Sequence, residues 1–145
     1  MIELRQSLEA EIPKFIEMEN SNEASAFIIP HTLEKHLSEI QKKTTRYLSI
    51  YKDDKLQGFF ILSLGLTNDV EFRRVVVASK GDGIGQAAIK LMEAYCKEAL
   101  SAKRIWLDVF SFNQRGQHIY KKLGYEQFGV DEHEGKQLLL FEKQL

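Results

Sequence analysis

Three β-rich runs, at residues 46–51, 56–64 and 70–77, are separated only by the short polar turns Lys52-Asp53-Asp54-Lys55 and Thr67-Asn68-Asp69. Turns this short join antiparallel neighbours, because a parallel pair needs a long crossover. The spacing therefore predicts a three-stranded antiparallel meander. The next segment breaks the pattern: Lys80-Gly81-Asp82-Gly83-Ile84-Gly85-Gln86-Ala87 carries three glycines at alternate positions. Beyond it, apolar residues at 84, 88, 91, 95 and 99 mark one face of a helix. A strand enters the glycine turn and a helix leaves it. A helix start exposes backbone N–H groups and the positive end of the macrodipole, and glycine lets a bulky anion approach the backbone. The expected ligand is phosphorylated.

The remaining elements are read from the same signals. Residues 2–4 open the chain as a short strand, and residues 9–20 are helical, with Ile12, Phe15, Ile16 and Glu19 on one face. Thr32 caps a second helix running to about Lys43, with Leu33, His36, Leu37 and Ile40 together. Residues 104–110 form a strand reached through a helix, so it can lie parallel to residues 70–77. Asn113 caps a helix over 114–123 that Gly124 ends, and residues 125–130 and 137–142 close a hairpin around Glu134-Gly135. The expected fold is α+β: a mixed, mostly antiparallel sheet of about seven strands with four helices.

At 145 residues, with 43% hydrophobic and 28% charged residues, the length suits one domain over residues 1–145. Twenty Lys and Arg against 21 Asp and Glu leave no basic stripe for nucleic acid or an anionic membrane. The longest apolar runs are too short to span a bilayer, and residues at the N-terminus carry no basic and apolar leader, so a cytoplasmic location is expected. Cys96 is the only cysteine and reads as a structural thiol. His31, His36, His118 and His133 lack metal-site spacing, so no metal is expected.

A second stretch, Asn113-Gln114-Arg115-Gly116-Gln117-His118-Ile119-Tyr120-Lys121-Lys122-Leu123-Gly124-Tyr125, adds weight to the glycine turn. Together they resemble the GNAT superfamily of acyl-CoA-dependent N-acyltransferases. Its Q/R-x-x-G-x-G/A turn is matched by Lys80, Gly83 and Gly85, with Lys in place of Gln or Arg. Its N-x-x-A-x-x-x-Y-x-K-x-G-F/Y helix is matched by Asn113, Tyr120, Lys122, Gly124 and Tyr125, with Gly116 in place of alanine. The resemblance covers residues 46–145 well and residues 1–45 in outline.

The resemblance implies that the strand ending at Val77 diverges from its parallel neighbour. Val75, Val76 and Val77 then offer backbone groups to the pantetheine arm of acetyl-CoA, as in strand addition. The pyrophosphate would rest on Lys80, Gly81, Asp82, Gly83, Ile84, Gly85 and Gln86 at the helix start, where Asp82 stands at a position often basic in the family. Asn113 is a helix cap and a secondary pantetheine contact. Tyr120 would protonate the departing thiolate, and Glu71 would take the proton of the attacking amine. The implied reaction is transfer of the acetyl group of acetyl-CoA to a primary amine, on a small molecule or a peptide, by direct attack in a ternary complex. A homodimer is a further expectation.

Other readings compete. Gly83-x-Gly85-x-x-Ala88, with Asp108 roughly 20 residues on, fits a dinucleotide fingerprint, although antiparallel runs precede it and no second nucleotide-binding half remains. A non-catalytic acyl-CoA-binding module is the alternative within the GNAT fold. For the acceptor, Glu9, Glu11, Glu17, Glu19 and Glu23 stand against Lys14 alone. They suggest either a cationic amine or a solvated acidic helix face.

Overall fold

The computed structural model describes residues 1–21, 24, 27–78 and 83–145. Its strands are β1 (Ile2–Gln6), β2 (Thr45–Lys52), β3 (Lys55–Leu64), β4 (Asp69–Val77), β5 (Arg104–Phe110), β6 (Glu126–His133) and β7 (Lys136–Gln144). Its helices are α1 (Ile12–Glu19), α2 (Leu33–Ile40), α3 (Ile84–Ala99) and α4 (Gln114–Lys122), with a 3₁₀ turn at Glu9–Glu11. One seven-stranded sheet has the order β1-β2-β3-β4-β5-β7-β6. Every neighbouring pair is antiparallel except β4 and β5.

Two hairpins close through two-residue loops with both residues at positive φ, Asp53 and Asp54 at 51° and 65° and Glu134 and Gly135 at 51° and 78°. That left-handed pair matches the twist of the strands it joins. At the end of α4, Gly124 takes φ 97° while the Tyr125 N–H donates to the Tyr120 carbonyl at 2.9 Å, which stops the helix where the sequence says it should.

Both faces of the sheet are covered. On one, Phe60 and Leu62 of β3 and Val70 and Phe72 of β4 join Ile105, Leu107 and Val109 of β5 beneath α3, and Ile119, Tyr120 and Leu123 of α4 pack against them. On the other, Phe59, Ile61, Tyr47 and Val76 meet Ile12 and Phe15 of α1. Residues alternate between faces along a strand, so β3 reads as an unbroken apolar run because both faces are buried.

β4 changes parity part way. Val70 and Phe72 belong to the first face, yet so do Val75 and Val77, an odd step further on. The cause is a bulge: Ile61 pairs with Arg74 and Leu62 with Phe72, which leaves Arg73 as the extra residue. Such a bulge bends the strand and increases its twist.

Two helical faces differ from expectation. α2 ends at Ile40 rather than Lys43, and it buries His36 and Glu39 while Leu33 is 48% exposed. Ion and hydrogen-bond partners for those two polar groups outweigh the apolar choice. On α3 the buried stripe is Ile84, Ala88, Ile89, Met92 and Cys96, with Leu91 and Ala99 exposed. The stripe that faces the sheet carries the small residues Ala88 and Cys96, which allow a close approach. Burial pushes the Cys96 thiol up to about 12, in keeping with a structural role.

Candidate active site

β4 and β5 pair only at Asp69 with Arg104, Val70 with Ile105 and Glu71 with Trp106. Beyond that point the bulge at Arg73 carries β4 away, and the two strands enclose a V. Val75, Val76 and Val77 keep their partners Phe60, Phe59 and Gly58 in β3, while β5 pairs with none of them. A cavity of about 510 Å³ fills the V, bounded by β4, β5, the starts of α3 and α4, and residues 27–29. Gly58 is needed behind it, since a Cβ there would lie 2.1 Å from the Val76 carbonyl oxygen.

At the helix end of the V, Gly83 caps α3 with φ 79°, a left-handed turn that suits glycine. Gly85 and Gln86 occupy the first turn, whose N–H groups have no acceptor within the helix, and both line the cavity with Gly83. Ile84 is buried in the core instead. Lys80, Gly81 and Asp82 lie outside the described residues.

Asn113 caps α4, its side-chain oxygen accepting from the Gly116 N–H at 2.9 Å. A Cβ at residue 116 would sit 2.8 Å from the Asn113 amide nitrogen, so glycine in place of alanine accommodates this cap. Further along the helix, Tyr120 forms part of the cavity wall, with its ring edge-to-face against Phe72 and Tyr125, each 5.9 Å away. Burial, and then the charge of Asp108, push its phenol up to about 12. It is a proton donor at neutral pH.

Two acidic residues of the strands that form the V differ in placement. Glu71 sits at the vertex of the V but is not among the described residues of the cavity wall, and its carboxylate accepts from the Arg73 Nε at 3.2 Å. Asp108 does line the cavity. Its neighbours Leu107 and Val109 point into the core beneath α3, so alternation sends Asp108 to the face opposite Tyr120's helix. Enclosure by the cleft raises its carboxyl above the ordinary range, and the Glu71 and Asp131 carboxylates add to that. The sequence pattern singled out Asp108 only as a ribose-binding acid; its place between the apolar Leu107 and Val109 of β5 was the usable signal.

On the α1 side of the sheet lies a buried network that the sequence reading missed. Glu19 and His36 are both fully buried, with the His36 Nε2 2.6 Å from the Glu19 carboxylate and its Nδ1 2.7 Å from the Tyr47 hydroxyl. The Arg74 guanidinium donates to the other Glu19 oxygen and, at 2.7 Å, to the Ile29 carbonyl. Burial alone would raise Glu19, but the His36 hydrogen bond and the Arg74 charge outweigh it and hold it below the usual carboxylate range. The signal was present as a glutamate and a histidine on otherwise apolar helical faces. Among the described glutamates of residues 9–20, none lines the cavity; Glu9 bonds Gln41, and Glu11 bonds Ser49 and Tyr51. Glu23 lies outside the described residues.

Comparison with known proteins agrees with this geometry. The family model described as "Acetyltransferase (GNAT) family" matches residues 9–125. A protein of Bacillus subtilis (strain 168) named "Putative ribosomal protein bS18-alanine N-acetyltransferase" is 28% identical over 111 residues, 74% of this chain and 72% of that protein. The crystal structure of spermidine N-acetyltransferase from Vibrio cholerae in complex with CoA and spermine superposes with a TM-score of 0.86, at 17% identity, covering 99% of this chain and 95% of that one. The ribosomal-protein-S18-alanine N-acetyltransferase from Escherichia coli superposes with a TM-score of 0.82, at 13% identity, covering 99% and 94%. At such identities the structural likeness establishes the fold alone. The Rossmann alternative is excluded by topology, because the strand before the glycine turn lies in an antiparallel meander.

Proposed function

We propose, from the premise that this chain belongs to the GNAT acetyltransferase family, that it transfers the acetyl group of acetyl-CoA to a primary amine. The observation that carries this reading is the V between β4 and β5, which leaves one edge of Val75, Val76 and Val77 outside the ladder and sets Tyr120 and Asp108 on its walls. The pantetheine amides would bond that strand edge. The diphosphate would meet the N–H groups at the start of α3, with Gly83, Gly85 and Gln86 closest to the cavity among the described residues. Lys80, Gly81, Asp82 and Ile84 belong to the same proposed turn, and Asn113, which caps α4 and lines the cavity, would be a secondary pantetheine contact.

In the reaction the amine nitrogen attacks the thioester carbonyl carbon, the C–N bond forms and the C–S bond breaks. Asp108, with its raised carboxyl pKa, takes the amine proton; the Tyr120 hydroxyl gives its proton to the departing thiolate. Glu71 acts through Asp108, as a neighbouring charge that raises its proton affinity. We read residues 1–145 as one catalytic domain working in a ternary complex.

The test is thermal stability with acetyl-CoA, CoA and NAD in turn. A ligand at 100 times its dissociation constant adds about 2.7 kcal/mol, visible as a raised midpoint. Shifts with the CoA forms alone are expected; a shift with NAD alone, or none, would overturn the proposal. Release of free thiol that depends on added amine separates the enzyme from a non-catalytic acyl-CoA-binding module.

A further inference from the structure

The acceptor end of the cleft carries a charge and shape pattern of its own. A cluster of negative charge stands at Asp108 on the cavity wall, with Glu71 and Asp131 close enough to raise its proton affinity, and a lone Glu134 lies further out. Outward from Asp108 part of the wall is apolar. Phe27, Ile28, Ile29, Phe110 and His133 continue from the main cavity into an adjoining one of about 150 Å³, which Phe112, Glu134 and Lys136 complete. Phe112 stacks on Phe110 at 5.0 Å and on Phe27 at 6.0 Å, so the three rings make one aromatic wall. It remains 48% exposed, and Ile29 across the groove 53%.

The basic residues of the walls decide what such a groove will refuse. Arg73, Arg74 and Arg115 line the main cavity, Arg73 paired with Glu71 and Arg74 with Glu19, while Glu134 and Lys136 both line the outer one. The Lys136 ammonium lies 5.8 Å from the Phe112 ring, so the ring face that could have received a second cation already has one. A polyamine would place its later charges against apolar walls, Arg115 and Lys136, with no second carboxylate cluster among the described wall residues to receive them.

We infer that the acceptor is a monoamine whose amino group is borne next to an apolar, uncharged body. The ammonium enters at Asp108, and the body lies along Phe27, Phe110 and Phe112. Covering exposed apolar side chains supplies the driving force, and the carboxylate cluster at Asp108 sets the register. The inference rests on the proposed acetyl transfer and deepens it.

The test measures acceptor-dependent thiol release with 2-phenylethylamine, with a phenylalanyl tripeptide amide and with spermidine, on protein shown by thermal shift to bind acetyl-CoA. Loss of acetyl-CoA binding would count against the transfer reaction itself; only the acceptor ranking bears on this inference. The expected result is kcat/KM for at least one apolar amine about tenfold or more above that for spermidine. Turnover of the amine but not the peptide identifies a small acceptor, and the reverse a peptide N-terminus; both uphold the inference. Equal or better use of spermidine, or no turnover with either apolar amine, overturns it. Phe112→Ala should raise KM for the preferred amine about tenfold with KM for acetyl-CoA unchanged. Lys136→Glu should narrow the discrimination against spermidine.

Discussion

Arg74 links two structures that no sequence interval connects: one guanidinium nitrogen donates to the buried Glu19 carboxylate and the other to the Ile29 carbonyl, 2.7 Å away. It is the cation that neutralises α1's buried acid, and it holds Ile29, part of the cavity wall. Removing it strands a fully buried charge.

Arg74→Met should therefore destabilise the fold by about 3–5 kcal/mol, since breaking one half of a buried pair costs more than the pair contributes. Urea denaturation gives the number. Glu19→Gln combined with Arg74→Met should recover part of the loss, because the stranded charge is gone; strict additivity would contradict the coupling.

Acidification should weaken the protein before ordinary carboxylates titrate. Burial, and then the Arg74 charge, lower His31 from 6.5 to about 4. The unfolded chain thus binds a proton in that interval that the folded one does not. Stability is complete above about 6.5 and falls as pH drops toward 4. Glu19, also lowered, extends the loss below its ordinary 4.5, whereas Asp108, raised, acts in the opposite sense. Melting midpoints from pH 7 to 4 should decline, and His31→Asn should flatten the upper part of that decline. An unchanged slope in the variant would remove His31 from the account.

Asp108→Asn should lower kcat/KM by about 10²–10⁴-fold while acetyl-CoA binding persists. In the parent protein the rate should fall on the acid side at a pH above the usual carboxylate range, because the base must be ionised and its pKa is raised. The variant should lack that limb. Retention of it would shift the role to another group, with Glu71→Gln as the next variant to make.

Tyr120→Phe should cost about 10²-fold in kcat, leaving KM for acetyl-CoA near its original value. Single-turnover measurement separates this from slow product release. Unchanged turnover would leave the ring of Tyr120 as packing against Phe72 and Tyr125.

Two glycines should separate close contact from backbone strain. Gly58→Ala drives a Cβ toward the Val76 carbonyl and should cost about 1–3 kcal/mol, with weaker acetyl-CoA binding because the strand edge itself is displaced. Gly83→Ala meets nothing within 4 Å, so its loss of about 1–2 kcal/mol comes only from φ 79°. Calorimetry with and without acetyl-CoA distinguishes the two.

The meander, the two-residue hairpins, the caps at Thr32 and Asn113 and the stop at Gly124 were all legible, because each depends on residues adjacent in sequence. The resemblance carried the divergence of β4 from β5, but its local cause was not readable: a bulge at Arg73 depends on how Ile61 and Leu62 pair across the strands. Asp108 was seen and given the wrong context, since its neighbours Glu71 and Asp131 arrive from two other strands. Glu19 and His36 were placed on the correct helical faces without a reason to be buried. Their partners, Tyr47 and Arg74, come from β2 and β4. Local chemistry fixed the elements; contacts between distant strands made the site.

The position of β7 between β5 and β6 has a consequence for how the protein is made. The wall of the cleft that bears Asp108 is hydrogen-bonded on its outer side by residues 138–144 alone. A nascent chain that has already delivered β4, the glycine turn and α4 from the ribosome still has β5 as a bare edge, poised to pair with the wrong strand. The cleft between β4 and β5 is therefore completed only after residue 144 has cleared the tunnel, and β5, made earlier, waits for β7 to cover its edge.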